Sequence, residues 1–187
     1  MRRVITSDVQ ILALDIATST GWAFGKPGEI PACGTVRFAS DDGASNDAIF
    51  ANALTWFSGF LKPQPRPTSL ILEALLPPQA MKGETSRQTR DLLGGLHGVI
   101  RGVAHARGIY EISDVSVLAV RKHFCGDQRA KKEDVFERCR ILGWPVKTRD
   151  EADAAATWHF ACSIVRPEVG VEVTPLFYGK RPMRVSV

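Results

Sequence analysis

The chain has 187 residues, of which 44% are hydrophobic and 24% charged, a composition typical of a globular protein and not of a disordered chain. No apolar stretch approaches the ~20 residues of a membrane span and no signal-peptide pattern is present, so we expect a cytoplasmic protein without a membrane partner. The net charge of +4 is uneven, because residues 82–149 hold fourteen Lys and Arg against eight Asp and Glu. This excess predicts either a surface for a polyanion or an ordinary solvated basic face.

The first half of the chain reads as strands with one helix. Short apolar segments at 9–15, 21–25 and 32–38, separated by turn residues, predict an antiparallel meander. Apolar residues at helical spacing predict a helix over 45–61, and a proline-rich segment then leads into a fourth strand at 69–73.

The second half is mainly helical. The predicted elements are a loop at 75–83, a long helix at 85–107, a strand at 109–112, and helices at 115–124, 130–142 and 150–165. The order predicts an α/β fold in which helices flank a central mixed five-stranded sheet. We expect a single domain over 1–187 with its core at 9–165, and we leave the tail at 167–187 unassigned.

Four carboxylates stand out, and they are the candidate catalytic and metal-ligating residues. Asp15 and Glu73 each end an apolar strand, where an unpaired charge is costly. Asp150 and Asp153 share one face at the start of a helix, where two like charges favour a cation or the helix dipole. Oxygen-only pockets of this kind suit Mg²⁺ or Mn²⁺, and two such ions can hydrolyse a phosphodiester. The alternative for each acid alone is an ordinary strand-end or turn residue.

Glu151 lies between the two helix acids in sequence but off their shared face. With Thr148 it forms the T-x-x-E pattern of a capping box, so we interpret Glu151 as structural.

A cluster of basic residues surrounds a break in the helical region. It comprises Arg121, Lys122, Arg129, Lys131 and Lys132. These residues are candidates for DNA phosphate contacts, and the alternative is ordinary exposed side chains.

Glycines mark the long helix, and three of them, Gly94, Gly98 and Gly102, are four residues apart. Each costs roughly 1 kcal/mol relative to alanine within a helix, which indicates a compensating close approach by another backbone. The partner is either a neighbouring helix of the same chain or the same helix of a second subunit.

Several of these segments resemble, in order and at similar spacing, the RuvC-type Holliday junction resolvases. They are 12–15 (LALD), 20–23 (TGWA), 70–73 (LILE), 93–100 (LGGLHGVI), 120–135 and 151–156 (EADAAA). The resemblance implies an RNase H-like fold, a homodimer, and two Mg²⁺ or Mn²⁺ ions per site held by Asp15, Glu73, Asp150 and Asp153. It also implies paired, symmetric nicking of four-way DNA junctions that leaves 5′-phosphate and 3′-hydroxyl ends.

The resemblance adds roles for individual residues and shows two departures. Arg121 and Lys132 fall where the family has lysines near the scissile phosphate. Leu75 and Leu76 stand where the family often has an aromatic junction wedge, and the segment after Glu73 is longer than usual. A divergent, phage-type member would fit these departures, and a branch-migration motor as partner cannot be inferred.

Three other functions share some of these features. The runner-up is a broader nuclease that cuts forks and flaps. The others are a structural DNA-binding protein with a dead pocket, which would not need clustered acids, and an enzyme acting on RNA–DNA hybrids, which would not need the glycine helix or the basic segment.

Overall fold

The structure, a computed structural model, describes residues 9–75 and 87–168 of the chain. The described residues form the following elements in chain order: β1 (Ile11–Asp15), β2 (Ser19–Gly25), β3 (Ala32–Arg37), α1 (Asn46–Phe60), β4 (Ser69–Glu73), α2 (Arg87–Ala106), β5 (Glu111–Val115), α3 (Val117–Cys125), α4 (Lys132–Ile141) and α5 (Arg149–Val165). This order is the predicted one. The start of the long helix, most of the loop at 75–83 and the tail from residue 169 lie outside the described residues.

The five strands form one mixed sheet in the order β3-β2-β1-β4-β5. β1 pairs antiparallel with β2, and β2 pairs antiparallel with β3, which confirms the predicted meander. β4 lies parallel to β1 on one side and to β5 on the other. The ends of β1, β4 and β5 and the beginning of β2 therefore meet at one edge of the sheet.

Helices cover both faces of this sheet, as predicted. Along β1, Ile11 and Ala13 pack into a cluster with α3, α4 and α5, whereas Leu12 and Leu14 pack into a second cluster with α1 and α2. The alternation follows from the two-residue period of a strand buried on both faces. In the part of the chain that the structure describes, no helix is both long and apolar enough to cross a membrane.

The fifth strand begins two residues later than predicted, and that boundary was wrong. Gly108 takes a left-handed conformation with φ of 87° and ends α2. The N–H of Ile109 then donates to the carbonyl of Ala104, so Ile109 belongs to the turn and not to the strand. Pairing with β4 carries β5 on to Val115, past the predicted end.

Candidate active site

Asp15 and Glu73 end two neighbouring strands at the same edge of the sheet. β1 and β4 run parallel with Leu14 opposite Leu72, so the next residue of each strand lies at that edge. The side chain of Asp15 is 15% exposed. The sequence predicted this juxtaposition, and the carboxyl edge of parallel strands is a common place for a site.

The first turn of α5 lies directly on β2, and the first two turns bring two more acids to this edge. A Cβ added to Gly21 would lie 2.0 Å from the carbonyl oxygen of Asp150, so the approach requires glycine. Gly21 is also the β2 partner of Asp15. The hydroxyl of Ser19 donates to Asp150 Oδ2 at 3.2 Å. Asp150 and Asp153 consequently lie beside Asp15.

Glu151, the third acid near the start of α5, is buried and has a structural role, as predicted. Its carboxylate accepts hydrogen bonds from the Thr35 hydroxyl at 3.0 Å and from the Lys147 N–H at 2.6 Å. The Thr148 hydroxyl caps the helix by accepting from the Glu151 N–H at 3.1 Å. These bonds tie the start of α5 to the edge strand β3 and fix the two neighbouring acids.

The ammonium of Lys132 lies among three of the four carboxylates. Its Nζ is 3.0 Å from Asp153 Oδ2, 3.4 Å from Asp150 Oδ1 and 3.7 Å from Asp15 Oδ2. Since one nitrogen contacts carboxylates from both β1 and α5, these acids form a single pocket. The sequence predicted Lys132 as a DNA contact, and the structure places its charge inside the pocket.

Burial and mutual repulsion shift the protonation of this pocket. Burial raises the pKa of Asp15 to about 6 against the opposing attraction of Lys132, and repulsion from Asp153 and Asp150 adds to the rise. Burial and then repulsion from Asp15 and Asp153 raise the pKa of Glu73 to about 7. Burial also raises the pKa of Asp153. The raised pKa values mean that additional positive charge, from protons or a bound cation, would stabilise the pocket.

The same carboxylates shift the pKa of Lys132. Burial lowers the pKa of its ammonium, but attraction to Asp15 and hydrogen bonding to Asp153 outweigh burial and raise the pKa above the usual value for lysine. Lys132 is therefore a fixed positive charge at neutral pH.

The chemistry of the pocket fits a hard divalent cation. Carboxylate oxygens are the donors that Mg²⁺ and Mn²⁺ prefer, and burial with mutual repulsion leaves these acids short of positive charge even with Lys132 among them. With the side chains as they stand, residues 9–75 and 87–168 contain no set of three or more Asp, Glu, His or Cys side chains around a single metal position. The carboxylates converge on the Lys132 nitrogen instead.

The other predicted DNA contacts lie around the pocket. Arg121 on α3 is half-buried, and its charge lowers the pKa values of Glu73 and Asp153. Among the described residues, its buried Nε has no hydrogen-bond partner. Leu75 is 42% exposed two residues beyond Glu73, whereas Leu76 lies outside the described residues.

Three of the predicted contacts lie on the surface of the α3–α4 region. They are Lys122, Arg129 and Lys131, and all are exposed. The structure brings Arg121 and Lys132 to the pocket, whereas these three are exposed side chains of the neighbouring region.

Two residues that position the pocket were missed as such in the sequence. Ser19 orients Asp150, and Gly21 allows α5 to approach β2. Both lie in the Thr-Ser-Thr-Gly-Trp segment after Asp15, where the run of small residues beside a strand-end acid was the available signal.

Comparison with known proteins identifies the fold. No protein-family model and no curated protein matches the sequence. Among solved structures, RuvC of Thermus thermophilus matches with a TM-score of 0.64 at 16% identity, over 87% of this chain and 97% of that chain. The fold is that of RuvC. The T. thermophilus RuvC in complex with a Holliday junction substrate matches with a TM-score of 0.65 at 14% identity, over 84% of this chain and 95% of that one.

A structure from yeast also matches. The yeast mitochondrial Holliday junction resolvase Ydc2 has a TM-score of 0.58 at 12% identity, over 91% of this chain and 87% of that chain. These matches confirm the predicted RNase H-like architecture, with its mixed five-stranded sheet and flanking helices.

Proposed function

We propose that this protein is a metal-dependent endonuclease that resolves four-way DNA junctions by paired, symmetric nicking. The observation that carries the proposal is the convergence of Asp15, Asp150 and Asp153 on one cation, at the sheet edge that Glu73 shares, in a RuvC fold. The structural likeness to RuvC bound to a Holliday junction substrate supports branched DNA as the substrate.

The four carboxylates would hold two Mg²⁺ or Mn²⁺ ions. Asp15 and Glu73 provide ligands from fixed strand ends, and Asp150 and Asp153 provide them from the first turns of α5. When bound, such ions activate a water molecule and stabilise the leaving oxygen of a phosphodiester. Ser19 supports this arrangement, because its hydrogen bond holds one oxygen of Asp150 in place.

The cationic side chains would position the DNA. Arg121 and Lys132 lie at the pocket and would neutralise the scissile phosphate, whereas Lys122, Arg129 and Lys131 would contact phosphates farther along the strand. Leu75, exposed beside Glu73, would insert into the junction together with Leu76, since aliphatic side chains can unstack bases.

The glycines of α2 support a homodimer. A Cβ added to Gly94, Gly98 or Gly102 would meet nothing within 4 Å, whereas one added to Gly95 would meet the ring of Phe50 on α1. The three glycines on the outer side are therefore not explained by packing within the described chain. We propose that this face packs against the same helix of a second subunit, because two symmetric nicks require two related sites.

The dimer is tested by substituting an open glycine with a bulky charge. Gly98→Arg should convert the protein to monomers in sedimentation experiments. Gly59→Arg is the matched control, since Gly59 is an exposed glycine of α1 that also has open space at its Cβ. A Gly98→Arg protein that sediments like wild type would contradict this interface.

The nuclease is tested on labelled synthetic four-way junctions with Mg²⁺, Mn²⁺ or EDTA, beside flap and linear duplex substrates. We expect symmetric, metal-dependent nicks on the junction. Asp153→Asn should lower the cleavage rate about 100-fold or more while junction binding survives, because it removes a buried charge from the pocket. Glu29→Gln, at an exposed acid in the turn between β2 and β3, is the control.

The other outcomes distinguish the alternatives. Equal cutting of flaps and junctions would favour the broader branched-DNA nuclease. Tight junction binding without cutting under any metal would contradict an enzyme of this kind and favour a structural DNA-binding protein.

A further inference from the structure

The ammonium of Lys132 lies where a cation shared by Asp15, Asp150 and Asp153 would lie, at 3.0 to 3.7 Å from each carboxylate. We infer that Lys132 is an internal counter-ion, which holds the pocket together without metal, competes with the divalent cation, and turns to the substrate phosphate when the cation enters. This inference rests on the proposed function, because it takes the same carboxylates as metal ligands.

The Lys132 side chain can leave the pocket without any change in the fold. It is 44% exposed, and its four-carbon stem reaches the pocket from the first residue of α4 through freely rotatable bonds. The backbone at this point is held independently, since the Lys131 N–H donates to the Asp134 carboxylate at 2.8 Å. Exchange of the ammonium for another cation therefore needs a rotamer change and no movement of the helix.

Charge explains why the exchange would go in this direction. Lys132 brings one positive charge to a pocket of four acids, and the remaining imbalance favours a cation with two charges and direct coordination. The two cations cannot occupy the same position, because like charges at such short distance repel strongly. Metal binding in the free protein must then break the three ion pairs of Lys132, which lowers the affinity for metal.

The displaced ammonium would couple the binding of the metal to the binding of the DNA phosphate. A DNA phosphate next to the metal would form an ion pair with Lys132. This ion pair would recover part of the energy lost when Lys132 leaves the three carboxylates. Metal and phosphodiester would thus each strengthen the binding of the other, and by thermodynamic linkage the factor is the same in both directions. The pocket would bind metal weakly when alone and firmly when DNA is present.

The test measures metal binding without DNA, so that it does not depend on cleavage. Mn²⁺ is titrated calorimetrically at about pH 8, where carboxylates with the raised pKa values are ionised, into wild-type, Lys132→Met and Lys62→Met proteins. Methionine keeps the apolar stem and removes the charge. Lys62 is an exposed lysine just after α1, at the opposite end of the sheet from Glu73, and its variant controls for the change in net charge.

We expect Lys132→Met to bind Mn²⁺ about tenfold more tightly than wild type, and Lys62→Met to bind it as wild type does. A second measurement follows the side-chain ammonium resonances of wild-type protein by ¹⁵N NMR during titration with diamagnetic Mg²⁺. The Lys132 signal, assigned by its loss in Lys132→Met, should move towards the position of a solvated lysine as the metal binds.

The outcomes separate this inference from the proposed function. Equal Mn²⁺ affinity of wild type and Lys132→Met, or weaker binding by the variant, would overturn the inference and leave the metal-dependent nuclease intact. Absence of Mn²⁺ binding in all three proteins would overturn both. Tighter binding by Lys132→Met in a protein that cuts no junction would support the counter-ion and contradict the nuclease.

Discussion

The helices α5 and α2 differ in how much of their surface the fold covers. Eleven of the 17 residues of α5 are buried, including the charged Glu151 and Asp153, whereas four of the 20 residues of α2 are buried. An acid can be held in a defined position only where its surroundings are fixed, which is the case on α5. Most of α2 is uncovered, and the proposed packing against a second subunit would require such an open face. A glycine under α5, such as Gly21, therefore allows close packing within the chain, whereas the exposed glycines of α2 leave a face open.

The largest effect is expected where α5 meets the sheet, for Gly21→Ala. The added Cβ would lie 2.0 Å from the Asp150 carbonyl oxygen and 2.9 Å from the Glu151 nitrogen, so backbone would have to move. We expect a loss of about 3 kcal/mol in the free energy of unfolding, measured by urea denaturation, at the upper end for overpacking. Junction cleavage should fall with it, because the first two turns of α5 carry two of the four acids.

Gly25→Ala is the matched control on the same strand. Its added Cβ would lie 3.5 Å from the nearest atoms, on Pro31 and Trp158, which is ordinary contact. If both variants lose the same stability, the close approach of α5 at Gly21 is not what makes that glycine necessary.

A smaller effect is expected on the inner side of α2, for Gly95→Ala. The new methyl would lie 2.2 Å from the ring of Phe50, which is a side chain and can yield more easily than backbone. The gain in helix propensity offsets part of this cost, so we expect a net loss of about 1 kcal/mol in thermal or urea unfolding. The double variant with Phe50→Leu should recover most of the loss, and failure to recover it would exclude the ring as its cause.

A pH effect should also follow from the buried acids on the α5 side. Because the pKa values of Asp15 and Glu73 are raised to about 6 and 7, the folded protein holds protons that the unfolded chain has released. Their contribution to stability is therefore present at low pH and is lost as the pH rises from about 4 to 7. In EDTA, we expect this loss to be on the order of a few kcal/mol, since each unit by which folding raises a pKa corresponds to about 1.4 kcal/mol.

The comparison that isolates this effect is between wild type and Asp15→Asn, each unfolded with urea at a series of pH values in EDTA. The difference in stability between the two should change in favour of the variant as the pH rises. Asp91→Asn on α2 should show no such change, since that side chain is exposed. If the difference in unfolding free energy between wild type and Asp15→Asn does not change with pH, the raised pKa of Asp15 is contradicted.

The smallest effect is expected on the outer side of α2, for Gly98→Ala. A methyl there meets nothing within 4 Å of the described chain, so alanine should stabilise the monomer by about 0.5–1 kcal/mol through helix propensity. Unfolding is measured at a protein concentration where monomers predominate. Raising the concentration should remove the advantage if the glycine face packs against a second subunit, and a loss of stability in the monomer would refute the open face.

Much of the fold was predictable because its signals are local. Two-residue and helical periodicities gave the correct element order, and the strand-end positions of Asp15 and Glu73, combined with a parallel pairing, predicted that the two acids would meet. The boundaries of β5 were less accessible, because they depend on where Gly108 ends α2 and on pairing with β4.

The centre of the pocket was harder to predict because it depends on contacts between distant elements. Lys132 has the sequence context of any exposed lysine at a helix start, and its place among the acids arises from the packing of α4 against α5. In the sequence, Gly21 resembles any strand glycine, because only the packing of α5 against β2 shows why glycine is required there. Patterns within one element cannot reveal such pairings.

The contacts that fix the first turn of α5 also determine when the site forms during folding. The hydrogen bond from Ser19 to Asp150 spans 131 residues, and that from Thr35 to Glu151 spans 116. Contacts of such sequence separation close large loops. A nascent chain that has emerged only as far as α4 has Asp15, Glu73 and Lys132, but neither Asp150 nor Asp153. Synthesis of α5 and its docking on β2 would therefore complete the pocket, because a chain that lacks α5 lacks two of the four acids.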